Sequence, residues 1–438
     1  MGALKKALPW VVALAALALA LSRAAQDGLW YDEAYTARLA RLPLGRALTG
    51  AMQDVHPPTW TVIAWLFARL PLSIELALRL PAALSYAGLA GLLTRRAPLA
   101  GLAILFHLPL LDLAAQGRAY STLALALVAM VHLVPQGRPL LTGLLAGFAA
   151  SLHGTGPLLV AVLLFPSLPW HSIRPRELGM MAAAALLPQL WWMPAFIEQA
   201  MRYAGEPWYV NSTAWDWLVI SDGQVGLAAL AVAVMVGLPG AARPLLPALA
   251  LALTLALAEV LGAGMEIRKL GALFPGLILL GLAQGNRPLW ATGALALGLM
   301  FSNRTVDDRP DLREAAMRVR ALPAMPVLAW YAGEMRAYHP ATLWSGPTPM
   351  DTARRLTELF AAQEIQCAAI VNLWDTAPEE ALPPGLEVRA WAEVTGLDVR
   401  LIGTEACSVD SLPAGWHVGS ACKDPQLREW VCEGREAQ

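Results

Sequence analysis

Asp32, Glu33, Asp54 and His56 crowd one short polar stretch near the amino terminus, which opens Gly28-Leu-Trp-Tyr-Asp-Glu-Ala-Tyr35 and closes Asp54-Val-His-Pro-Pro58. These residue types move protons and grip anions or cations. A carboxylate such as Asp32 can serve as a general base, with a neighbouring acid, Glu33, tuning it or binding a cation. The two prolines fix an extended approach and then start a helix without wasting backbone donors, which sets the His56 imidazole at that helix's beginning. The rival reading is that loop acids are simply solvated, as most are. The aromatic neighbours Trp30, Tyr31 and Tyr35 and the His-Pro-Pro motif favour chemistry.

The setting of this stretch is strongly apolar. The chain of 438 residues is 57% apolar and only 15% charged, with a mean hydropathy of +0.50. A soluble protein of this length carries about 25% charged residues, so the composition predicts a polytopic α-helical membrane protein. The net charge of −1 gives no electrostatic case for nucleic acid. Candidate spans fall at 8–25, 57–70, 76–94, 97–115, 119–135, 139–169, 178–197, 224–240, 243–263, 270–285 and 288–302. That is about 11 transmembrane helices (11–13 if 139–169 is divided), each near the ~20 residues a bilayer needs or somewhat under it. The Gly143, Gly147, Gly154, Gly156 and Pro157 interruptions leave one or two crossings open there, and with them the topology between 57 and 169. Gly143-x-x-x-Gly147 reads as a helix-packing motif.

Lys5 and Lys6 precede the first apolar run and are expected inside, with that run retained as a helix; signal-peptide cleavage after Ser22-Arg-Ala-Ala25 is the alternative. An odd number of spans then puts the carboxyl-terminal part outside. His171-Ser-Ile-Arg174-Pro-Arg176, Arg243 and Arg287 fall inside, as positive charge should. Two outer loops follow from this, 26–56 and 198–223. The first contains an expected interfacial helix over Asp32–Leu48; the second is rich in Trp and Tyr, which favour the headgroup level. The chain divides into a membrane domain, 1–302, and a small soluble α/β domain, 303–438. In the latter, Leu312, Ala315, Ala316 and Val319 predict a helical apolar face, and strand-like runs lie at 326–331, 367–373 and 399–403. All four cysteines, Cys367, Cys407, Cys422 and Cys432, lie there without a Cys-x-x-Cys pair, which points to disulfides in an oxidising compartment with three pairings open; free buried thiols in a cytosolic domain are the alternative.

Asp-Glu in the first outer loop followed by Asp-Val-His-Pro-Pro at the second helix resembles the GT-C glycosyltransferases: the protein O-mannosyltransferases, the bacterial aminoarabinose transferase and Rgt-like relatives. Arg79-Leu-Pro81, Gly117-Arg118-Ala-Tyr120, Arg268-Lys-Leu-Gly-Ala-Leu-Phe-Pro275 and Asp311-Leu-Arg-Glu-Ala-Ala are further similarities, so the resemblance touches most of the chain. It implies a GT-C membrane enzyme of the bacterial inner membrane with a periplasmic tail. Its donor would be a polyprenyl-phosphate sugar, and its acceptor hydroxyl would belong to a lipid, a glycan or a protein. It implies Asp32 as the base that takes the acceptor proton. Glu33 and His56 would shape the site or hold a divalent metal. Arg118, Tyr120, His153, Arg268 and Lys269 would grip the donor phosphate. Thr59-Trp60 departs from the Leu that follows His-Pro-Pro in the mannosyltransferases, and Lys269 stands where the family has Tyr.

Such chemistry matches the residue types. When a sugar leaves a phosphate, positive charge develops at the anomeric carbon and negative charge on the phosphate, so a carboxylate facing the acceptor and cations facing the phosphate serve both. A secondary transporter would place ionisable residues near the midplane of two related halves, whereas these acids crowd one asymmetric loop. A lipid-handling or scaffold protein without transferase activity is the other alternative. The bland reading of Arg79, Arg118 and Arg268 is snorkelling from helix ends. That of Asp112 and Glu259 is a place near span ends, and that of Trp191-Trp192 is the interfacial belt.

Overall fold

A computed structural model describes residues 2–198 and 312–419 with short interruptions, the longest being 330–334, 345–348 and 373–381, together with 275, 276 and 279. Outside the described residues lie the spans expected at 224–240, 243–263 and 288–302 and nearly all of 270–285 and of the loop 198–223. So do Arg243, Glu259, Arg268, Lys269, Arg287, Cys422 and Cys432. The chain forms two compact units, one of Met1–Ala25 with Leu39–Val306, the other of Gln26–Arg38 with Asp307–Gln438. The division thus differs from a single boundary at 302, because the segment carrying Asp32 and Glu33 groups with the tail.

The first unit is helical. α1 (Gly2–Ala24) packs on α5 (Ile74–Arg96) through small residues. A Cβ added at Gly91 would meet Ala13 Cβ and Pro9 O at 3.2 Å, and Ala16 and Ala20 are fully buried. The opposite side of α1 is apolar too, with Trp10, Val11, Leu14 and Leu19 exposed. A helix apolar all round suits surroundings other than water. Lys6–Ala24 and Ile74–Arg96 are long and apolar enough to cross a membrane.

Other expected spans are shorter or broken. The run at 57–70 forms only α4 (Thr59–Phe67), nine residues. The run at 97–115 divides into α6 (Pro98–Phe106) and α7 (Leu108–Ala114). Proline at 109 removes a backbone donor, and His107 leaves helical geometry so that its Nδ1 accepts the Leu110 N–H at 3.1 Å. The run at 119–135 becomes α8 (Tyr120–Leu133) with a 3₁₀ turn behind it. The run at 139–169 is two helices, α9 (Pro139–Ala150) and α10 (Gly156–Ser167). Their junction is tight, for a Cβ at Gly156 would lie 2.6 Å from Ala149 O. The helix expected over Asp32–Leu48 is also divided, into α2 (Tyr31–Arg41) and α3 (Leu44–Ala51), because Pro43 is extended (φ −54°, ψ 143°). Trp65 Nε1 and Arg69 Nη2 donate to the Leu42 carbonyl at 2.9 and 3.1 Å, satisfying the chain where α2 ends.

α9 lies against α11 (Pro175–Leu186) across glycines. A Cβ at Gly143 would fall 2.3 Å from Met181 O and one at Gly147 2.6 Å from Ala185 O. The expected small-residue packing is present. Gln189 Nε2 reaches into it, donating to Gly147 O at 2.6 Å, and Trp192 Nε1 donates to Gln189 Oε1 at 3.0 Å. Trp192 is therefore buried, while Trp191 is exposed; only the latter keeps the belt reading.

Buried charges are tied down. Arg79, 2% exposed, donates to the Ala24 carbonyl at 2.6 Å, which satisfies an orphan acceptor at the end of α1. Asp112, also 2% exposed, accepts from Arg23 Nε at 3.2 Å. Neither snorkels nor simply sits at a span end.

The second unit is α/β. Its sheet runs β2-β1-β3-β5-β4-β6, with β1 (Val327–Ala329) parallel to β2 (Leu343–Trp344) and to β3 (Cys367–Asn372). β5 (Leu397–Gly403), β4 (Glu387–Val394) and β6 (His417–Val418) continue antiparallel. α12 (Leu312–Arg320) buries Leu312, Ala315, Ala316 and Val319, the face its periodicity predicts. α13 (Pro349–Gln363) buries Leu356 and Leu359. A disulfide joins Cys367 to Cys407. Gly403 allows the bridge its space, since a Cβ there would lie 2.4 Å from Cys407 Cβ. The 26–38 segment joins this unit through Leu29 N–H to Tyr338 Oη at 2.8 Å and Arg313 Nη2 to Gln26 O at 2.9 Å.

Gly143→Leu is expected to destabilise the protein by about 1–3 kcal/mol, the cost of overpacking a close contact. Gly179→Ala on α11, with open space around it, should be neutral or stabilising by up to about 1 kcal/mol. Thermal unfolding in detergent distinguishes the two; equal Tm values would contradict the packing.

Candidate functional site

Within the first unit, three separate segments deliver four of the expected residues to one place. Arg118 Nη2 lies 2.8 Å from His56 Nε2. The His56 ring stands beside the His153 ring, centroids 4.9 Å apart, and Tyr120 flanks His153 at 5.1 Å. Arg118, Tyr120 and His153 are each no more than 6% exposed. Arg118 is therefore not a snorkelling side chain.

The local sequence explains this convergence. His56 precedes Pro57-Pro58, and Pro58 is the residue before α4. Trp60, the second residue of α4, donates through Nε1 to the carbonyl of Gly117 at 2.8 Å, a buried bond that holds the start of α4 against the turn before α8. Arg118 is in that turn and Tyr120 begins α8. His153 occupies the junction of α9 and α10, where Gly156 N–H donates to the His153 carbonyl at 2.8 Å. A polar loop motif, a non-helical turn and an interhelical corner thus meet among apolar helices.

Hydrogen-bond direction fixes the tautomers. A guanidinium only donates, so His56 Nε2 accepts and the imidazole carries its proton on Nδ1. At His153 the Thr155 backbone N–H donates to Nδ1 at 3.2 Å, with Thr155 Oγ1 at 2.9 Å, which puts that ring's proton on Nε2. The four side chains then hold one fixed positive charge, on Arg118, next to two neutral rings and a phenol. The first turn of α8 begins at Tyr120, two residues after Arg118, and a helix N-terminus favours anions. An anionic group, phosphate above all, is the ligand this arrangement can hold.

A metal fits less well. His56 in this state has no lone pair to offer, and a guanidinium sits at 2.8 Å from its Nε2. Among the described residues no group of three His, Cys, Asp or Glu side chains could hold a metal ion.

Asp32 and Glu33 belong to the second unit. They lie in the first turn of α2, where carboxylates complement the helix dipole. Trp30 is the residue before that helix: its carbonyl accepts from Ala34 N–H at 2.9 Å and its N–H donates to Glu33 Oε2 at 3.3 Å. Glu33, 0% exposed, is thus one half of a capping box and has a structural task. Asp32 is half-buried, and its carbonyl accepts from Thr36 Oγ1 at 2.9 Å. Arg268 and Lys269 lie outside the described residues.

Two polar residues beside Arg118 escaped the sequence reading. Gln116 and Ser121 are both 0% exposed. Neither the Gln116 amide nor the Ser121 hydroxyl has a hydrogen-bond partner among the described residues. A signal existed: a glutamine in an otherwise apolar run is costly to bury, about 1–3 kcal/mol for an unsatisfied group.

No protein-family model matches the chain, and no curated protein matches it. Among solved structures, the crystal structure of ArnT from Cupriavidus metallidurans in the apo state is 15% identical at a TM-score of 0.45, covering 89% of this chain and 97% of that one. The structure of the same protein bound to undecaprenyl phosphate is 14% identical at a TM-score of 0.47, covering 91% and 97%. At this similarity neither structure defines the fold or the activity of this chain.

If Arg118 and His56 support one another, the double-mutant cycle of Arg118→Met and His56→Ala should show a coupling of about 1–2 kcal/mol in unfolding free energy. Strictly additive effects would mean that the bond does not hold the site.

Proposed function

We propose that the protein is a GT-C-type inverting glycosyltransferase of the bacterial inner membrane. It would move a sugar from a polyprenyl-phosphate donor to an acceptor hydroxyl at the outer face. The observation that carries this reading is the buried cluster of Arg118, His56, Tyr120 and His153 within an apolar helical unit. A desolvated guanidinium beside neutral groups is a strong place for a phosphate, and a phosphate on a polyprenyl chain reaches such a place from within a bilayer.

The division of labour follows from the charges that develop. Arg118, with Tyr120 and His153 around it, would hold the donor phosphate as negative charge builds there. Arg268 and Lys269 are assigned to the same task on the family resemblance. Asp32 would accept the proton of the acceptor hydroxyl as the new glycosidic bond forms and the bond from the anomeric carbon to the phosphate oxygen breaks. Glu33 would keep the start of α2 in shape, through Trp30, so that Asp32 is held in place. Attack from the face opposite the phosphate inverts the anomeric centre. The Cys367–Cys407 disulfide supports an oxidising compartment, hence a periplasmic tail.

Purified protein with a radiolabelled polyprenyl-phosphate sugar and a membrane extract as acceptor source tests the reading. Asp32→Asn is expected to lower kcat by about 10²–10⁴-fold while leaving donor binding near wild type. Arg118→Gln should weaken binding of the lipid phosphate itself. Wild-type transfer by Asp32→Asn would remove the assigned base, and a wild type that moves lipid or solute without forming a glycoside would remove the transferase.

A further inference from the structure

The mechanism leaves Gln116 and Ser121 without a task, although they bracket Arg118 in sequence and are both completely buried. Several other buried polar groups of the same helical unit are matched. Ser85 donates to Pro81 O at 2.8 Å and takes the hydroxyl of Thr122, the residue after Ser121, at 2.9 Å. Gln189 donates to Gly147 O and accepts from Trp192. Trp60 donates to Gly117 O. Gln116 Nε2, Gln116 Oε1 and Ser121 Oγ have no partner among the described residues, so the one amide leaves both a donor and an acceptor unmet.

We propose that the Gln116 amide and the Ser121 hydroxyl recognise hydroxyl groups of the sugar carried by the donor. This rests on the reading of Arg118 as the phosphate grip, because it places the sugar next to the phosphate.

The sign of the unmet demand selects the ligand. An amide needs an acceptor for its NH₂ and a donor for its oxygen. A phosphate diester supplies acceptors only and would leave Oε1 unanswered. An apolar polyprenyl chain supplies neither. A sugar hydroxyl both donates and accepts, so one or two hydroxyls complete the amide, and a serine hydroxyl can meet another in either sense. Gln116 also lies in the non-helical turn between α7 and α8, two residues before Arg118, so the amide and the guanidinium come from the same short turn. Sites that bond a substrate hydroxyl in this way reject analogues that lack it.

The test uses the full-length protein in detergent and measures binding directly, by intrinsic tryptophan fluorescence. The probes are polyprenyl phosphate without sugar, its mannosyl, glucosyl and arabinosyl forms, and the singly deoxygenated versions of whichever form binds best. Wild type should bind one glycosylated lipid at least about tenfold more tightly than the sugar-free lipid, and lose most of that gain when one particular hydroxyl is missing. Gln116→Met, which keeps length and removes both hydrogen-bonding atoms, should bind the sugar-free lipid as wild type does. It should no longer distinguish the intact sugar from the deoxy sugar, and Ser121→Ala should blunt the preference at a different position. Should Gln116→Met fail to fold, Gln116→Glu keeps the shape and an acceptor but loses the NH₂ donor, and the same loss of discrimination is expected.

The proposal is overturned if wild type shows no sugar-dependent affinity. It is equally overturned if the variants retain full discrimination, or if they lose sugar-free and glycosylated lipid alike. Arg118→Gln separates this from the phosphate reading: unchanged binding of sugar-free polyprenyl phosphate by that variant defeats the phosphate grip. Arg118-dependent binding together with no effect of Gln116→Met defeats only the sugar contact.

Discussion

An ionised side chain inside an apolar helical body must be matched, and that requirement shapes the first unit. Breaking a buried charged contact costs about 3–5 kcal/mol, far more than any one apolar contact there. Arg79 meets it with the last carbonyl of α1, Asp112 with Arg23 near the same helix end, and Arg118 with His56. The first two fix where α1 finishes relative to α5 and α7. With α1 tied down, the turn after α7 is fixed as well, and Arg118 emerges from that turn. A guanidinium needs its partner held still, which the Trp60 bond to Gly117 accomplishes from the α4 side. Ordinary structural matching thus brings His56 and Arg118, far apart in the chain, within one hydrogen bond of each other.

What the sequence made legible was local and periodic. Leu312, Ala315, Ala316 and Val319 announced α12, and the small pair Gly143 and Gly147 announced a close helix contact. The β3 and β5 runs showed in their Val and Ile content, and β4 carried a period-two signal, with Val388, Ala390, Ala392 and Val394 all buried, that went unread. Two-residue strands such as β2 and β6 are too short for any periodicity. Continuous hydrophobicity hid the break at His107, because helix ends depend on where individual backbone groups find partners, whereas Gly154, Gly156 and Pro157 had left room for the one at 151–155. Arg79 looked like a snorkelling cation because its partner is a backbone carbonyl, and no carbonyl is visible in a sequence.

The candidate site divides along the same line. His56 could be named from its motif, and Arg118, Tyr120 and His153 from the family resemblance; the geometry joins them. Gln116 and Ser121 carry no motif, and their interest comes only from the contrast between complete burial and an unmet hydrogen-bonding demand. Glu33 moved the opposite way. Its type and its neighbour suggested chemistry, while its bond to Trp30 N–H assigns it to the helix start. A residue that caps the helix carrying Asp32 still matters to function, but through position.

The tautomers give the cluster a sense of direction. While Arg118 donates to His56 Nε2, the imidazole acts as a placeholder acceptor for a guanidinium whose stronger partner would be an anion. A guanidinium carries five N–H donors, so an anion can engage Arg118 while the bond to His56 stays in place. His153 accepts at Nδ1 from the Thr155 backbone N–H, with Thr155 Oγ1 at 2.9 Å, which fixes that ring in the same way. Both imidazoles are thereby held still around a fixed positive charge, and a preorganised set of partners loses little freedom when a ligand arrives.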